Sequence, residues 1–81
     1  MNLYSKNILQ DIANEIKQYT NKGKTPTYII ISNADSPKLL NEMSKARLLP
    51  DNKEPKKLIL YGLRVIRTSD IPEGYFDITG G

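Results

Sequence analysis

An α+β domain is predicted for this chain: a long N-terminal helix, a strand, a short helix and a β-hairpin, with the helices packed on a small three-stranded sheet. Three observations carry the prediction. Apolar residues recur at helical spacing over residues 3–20, and an unbroken, largely β-branched run fills residues 27–32. Residues 58–76, LILYGLRVIRTSDIPEGYF, hold two apolar stretches separated by turn residues that include a proline and a glycine. Eighty-one residues are enough for one domain, 1–81, with a modest core.

In the first element Ile8, Leu9, Ile12, Ala13, Ile16 and Tyr19 stand three and four apart, which places them on one face of a helix about 27 Å long. Asp11, Glu15 and Lys17 fall off that stripe and should be wet. Asn21-Lys22-Gly23-Lys24 ends the helix with a glycine suited to the left-handed cap and cations beside the negative end of the dipole. The stripe is expected to pack on the core; docking on another protein is the alternative.

Pro26 opens the extended run Thr27-Tyr28-Ile29-Ile30-Ile31-Ser32, expected to be a central strand, covered on both faces or packed at its centre. After the loop Asn33-Ala34-Asp35, Ser36 reads as an N-cap and Pro37 as the first helical residue, where the missing N–H costs nothing. Leu39, Leu40, Met43 and Ala46 continue that second helix for about three turns.

Residues 48–57, LLPDNKEPKK, are expected to be an exposed, flexible loop. Residues 58–68 read as one strand interrupted at Gly62, where a bulge, a kink or a close backbone approach would explain a residue without a side chain. The turn Ser69-Asp70-Ile71-Pro72-Glu73-Gly74 leads to Tyr75, Phe76 and Ile78 as the return strand of a hairpin. Residues 79–81 should fray.

Composition narrows the chemistry. With no histidine and no cysteine, the chain lacks the commonest general base, the commonest zinc ligand and any thiolate or disulfide. No catalytic, cofactor-binding or metal-binding residues are therefore assigned, and no cofactor is expected. No apolar run approaches the roughly 20 residues of a membrane span, and MNLYSKNILQ lacks the layout of a signal peptide. A location that is neither secreted nor membrane-bound is expected, with the cytosol as the default.

Each polar constellation has a structural explanation. Asp70 and Glu73 offer too few oxygens for a hard cation and fit a turn. Ser32, Asn33, Asp35 and Ser36 follow a strand, where α/β proteins often place ligands, but they fit helix capping. Lys53, Lys56, Lys57, Arg64 and Arg67 form the local excess of positive charge, with Tyr61 among them as a stacking platform. They are the candidate contacts for nucleic acid or an acidic partner. A net charge of +3 and a single interleaved ring make nucleic acid the less favoured partner.

The order of motifs resembles the peripheral domain of the major capsid protein fold shared by tailed bacteriophages and encapsulins. In that family a long spine helix is followed by a Pro-Thr-led hydrophobic strand, a Ser/Pro-capped helix, a Leu-x-Gly strand and a Pro-x-Gly turn into a last strand. Here Ile8 to Tyr19, Pro26-Thr27-Tyr28-Ile29-Ile30-Ile31, Ser36-Pro37-Lys38-Leu39-Leu40, Leu60-Tyr61-Gly62-Leu63-Arg64-Val65-Ile66 and Ser69-Asp70-Ile71-Pro72-Glu73-Gly74-Tyr75-Phe76 are similar, in order. The chain departs from the pattern at Arg64, where the family usually has proline, and it lacks the axial domain, extended loop and N-terminal arm. The resemblance implies a detached or accessory relative with a mechanical role, in the host cytoplasm or a virion.

The expected function is thus a non-enzymatic structural or interaction protein, phage-related, binding other protein subunits or copies of itself. The second expectation is a small regulator or inhibitor of a nucleic-acid enzyme, or a nucleic-acid binder, acting through the basic loop.

Overall fold

The computed structural model describes residues 2–3, 7–48 and 58–80. Its elements are β1 (Asn2–Leu3), α1 (Ile8–Asn21), β2 (Pro26–Ser32), a 3-10 turn (Asn33–Asp35), α2 (Ser36–Lys45), β3 (Ile59–Leu60), β4 (Leu63–Thr68) and β5 (Tyr75–Gly80). The protein is α+β, with a long first helix and a short second one.

Local chemistry sets the helix limits. Asn7 has extended backbone, and its side-chain oxygen accepts the Gln10 N–H at 3.2 Å, so α1 begins at Ile8 rather than near residue 3. At the other end Gly23 takes φ 79°, and the Gly23 and Lys24 N–H groups donate to the Thr20 and Tyr19 carbonyls. These two bonds form the Schellman closure that the glycine forecast. Helix α2 ends the same way: the Arg47 and Leu48 N–H groups donate to the Ser44 and Met43 carbonyls, with Arg47 at φ 58°. Its N-cap is Asp35 rather than Ser36, so Ser36 and Pro37 both sit in the first turn.

The strand order is β1-β5-β2-β4-β3. The three expected strands β2, β4 and β5 form the body of the sheet, and two-residue strands extend it on either side. The expected hairpin between the last two long strands is corrected: β2 lies between them, parallel to β4 and antiparallel to β5. The hairpin is instead β3–β4. Leu60 pairs with Leu63 across Tyr61 and Gly62, which have φ 53° and φ 78°, positive at both central residues as a type I′ turn requires. Gly62 is therefore a turn residue, not a bulge within one strand. Thr79 and Gly80, expected to fray, pair with β2. The close approach explains the residue: a Cβ on Gly80 would run into the Thr25 carbonyl oxygen.

Both helices cover one face of the sheet. Ile8, Leu9 and Ile12 from α1 and Leu39 and Met43 from α2 share one core with Ile29, Ile31, Leu60, Leu63, Val65, Phe76 and Ile78. Burial of this apolar surface is the main favourable term in folding. β2 is central, as its sequence suggested, but among the described residues the packed layer covers only one of its faces: Ile29 and Ile31 are buried, Ile30 is half-buried and Tyr28 is exposed.

Candidate protein-interaction surface

Alternation along the strands assigns the side chains of the uncovered face. Pairing registers set Thr79, Tyr28, Arg64 and Ile59 in one row across the sheet, and Asp77, Ile30 and Ile66 in the next. Leu3 pairs with Tyr75 beyond them, on the same face. Six large apolar side chains are exposed among the described residues, and four of them lie here: Leu3 at 66%, Ile59 at 48%, Tyr28 at 38% and Ile66 at 37%. Tyr61 is also exposed and stands at the tip of the adjoining hairpin.

Two charges punctuate this apolar field. Arg64 is exposed between Tyr28 and Ile59. Asp77 is half-buried beside Ile30, and its Oδ1 accepts the Ile78 N–H at 3.0 Å. The central strand separates them by about 12 Å as judged from strand spacing and rise, and no salt bridge joins them among the described residues.

The basic candidates do not gather into one described patch. Lys53, Lys56 and Lys57 lie outside the described residues. Arg64 and Arg67 are three apart on β4, so they point to opposite faces of the sheet. Arg67 pairs with buried Ile31 on the helix side and emerges at the end of the strand.

At the carboxyl ends of β2 and β4 the polar residues are used in construction. Ser32 Oγ accepts the Ala34 N–H at 3.1 Å, and Thr68 Oγ1 accepts the Asp70 N–H at 3.1 Å. The turn is thus shaped by Thr68 rather than by the Asp70 carboxylate. Asp35 was expected to cap a helix, and it does hold the N-cap position, but its side chain makes no capping bond. It is 2% exposed, and its Oδ2 accepts the Gly74 N–H at 2.7 Å, 39 residues away. That bond ties the connection after β2 to the turn before β5.

Among the described residues no group of three or more carboxylates, histidines or cysteines could hold a metal ion, and no helix is long and apolar enough to cross a membrane. Comparison with family models, with curated proteins and with solved structures finds no match to this chain.

Proposed function

We propose that this chain is a non-enzymatic structural protein that binds other protein subunits through the uncovered face of its sheet. The observation that carries the reading is the concentration of exposed apolar side chains on that one face, around Ile30 and Ile66. A two-layer domain normally buries one face of its sheet and keeps the other polar; here the second face carries isoleucine, leucine and tyrosine beside Arg64, Asp77 and Thr79. Exposed apolar side chains concentrated on one face mark a site of association. The resemblance of the motif order to the peripheral domain of phage and encapsulin shell proteins supports a mechanical role and a virion or accessory setting. A regulator acting through a basic loop has less support, because Arg64 and Arg67 face away from each other.

A photo-crosslinking phenylalanine analogue placed at Ile66, and in a second variant at Lys17 on the exposed side of α1, tests the reading in cells. A discrete protein adduct from position 66 and none from position 17 is expected. Equal adduct formation from both positions, or none from 66, would refute it.

A further inference from the structure

We propose that the occupant of this face is a second copy of the same chain, packed sheet to sheet about a two-fold axis that runs along β2. The inference rests on the interaction reading above and adds the partner and the register.

The whole chain carries +3, yet among the described residues the uncovered sheet face holds one cation, Arg64, and one anion, Asp77, on strands that flank β2 on opposite sides. A neutral face of this kind offers no net attraction to an acidic or a basic partner. It is complementary to itself. In an isologous pair, residue i of one copy meets residue j of the other, and j meets i. A two-fold along β2, lying between the facing sheets, sets β4 of one copy over β5 of the other. Each Arg64 then stands over the partner copy's Thr79, one two-residue step of about 7 Å from its Asp77, a reach that an arginine side chain spans. A two-fold running across the strands would set β4 over β4 and leave neither charge opposite its complement.

The remaining side chains suit the same arrangement. With the axis along β2, Ile30 and Tyr28 lie at the centre, while Ile66 and Ile59 face the β5 side of the other copy. A tilt of the axis by about 15° from β2 gives the angle of about 30° between facing strands at which such sheets pack, side chains interleaved. Strand spacing and rise give a face of about 20 Å by 20 Å. Pairing two of them removes roughly 1,000 Å² in total, the lower limit for a specific interface. The dimer is therefore reversible and concentration-dependent. Pro50 to Lys57, the polar connection between α2 and β3, contains no apolar side chain other than its two prolines, so its composition does not complement an isoleucine-rich face.

Sedimentation of the full chain across a concentration series tests the proposal, with Arg64→Asp, Asp77→Arg and an equimolar mixture of the two. The wild type should pass from monomer to dimer. Each single variant sets like charges against each other twice and should dimerise at least tenfold more weakly. In the mixture both contacts become attractive, so a mixed dimer should form with near wild-type affinity. Thermal melts of each variant confirm that the fold is kept. A wild type that stays monomeric overturns the second-copy proposal, as does a dimer that ignores both substitutions. If that monomer still gives a position-66 adduct to a different protein, the interaction reading survives and only the identity of the partner fails.

Discussion

Replacing Asp35 with alanine should cost this fold about 2 kcal/mol, because one buried side chain joins two connections that are far apart in sequence. The Asp35 Oδ2 atom accepts the Gly74 N–H at 2.7 Å, and the residue is 2% exposed. A short hydrogen bond to a carboxylate in such a place contributes about 1.5–3 kcal/mol. Gly74 is only half-buried, so water can reach its N–H in the variant, which keeps the loss from exceeding that range. For a domain of this size each kcal/mol corresponds to roughly 4–8 °C in Tm, so Asp35→Ala should melt about 8–16 °C below the wild type. Asp35→Asn retains an acceptor of the same shape and should lose about half as much. Melts are compared at one low protein concentration, since association would raise the apparent Tm. Amide exchange at Gly74 should quicken in the alanine variant. A melting point within 2 °C of wild type, with Gly74 exchange unchanged, would refute the assignment of Asp35 as the tie between the β2 and β5 connections.

Two other substitutions probe the backbone. Arg47 closes α2 at φ 58°, a conformation that costs a side-chain-bearing residue about 1–2 kcal/mol; Arg47→Gly should therefore stabilise the protein by about 0.5–1 kcal/mol, read as a higher urea midpoint at unchanged slope. Gly80→Ala drives a methyl group toward the Thr25 carbonyl oxygen and should lower the midpoint by about 1–3 kcal/mol equivalent, as overpacking does.

What was legible in the sequence was local. The stripe from Ile8 to Tyr19 identified α1 because a 3.6-residue period depends on no distant partner, and Gly23 marked its end because few other residues take φ 79° cheaply. The β-branched run around Ile30 announced a central strand for the same reason. Strand order was not legible. The residues from Asp70 to Gly74 show that the chain turns, but they do not show that β2 occupies the space between the strands on either side. Tyr61 and Gly62 resembled an interruption because tyrosine is an unusual occupant of a left-handed position; the two-residue spacing between Leu60 and Leu63 was the signal of a hairpin. The Asp35 tie spans 39 residues, and nothing near either residue marks it. The uncovered face was hidden in Tyr28 to Ser32, where an unbroken apolar run looks the same whether one face or both are packed.

The central claim is that neighbouring isoleucines on these strands serve two separate surfaces, one closed by the helices and one left for a second copy of the chain. Methyl spectra of isoleucine-labelled protein, recorded on dilution, test it most directly. The account predicts that Ile30, Ile59 and Ile66 shift with concentration while Ile12, Ile29 and Ile31 stay fixed. Concentration-independent methyls throughout, or shifts confined to the Ile12, Ile29 and Ile31 set, would contradict it.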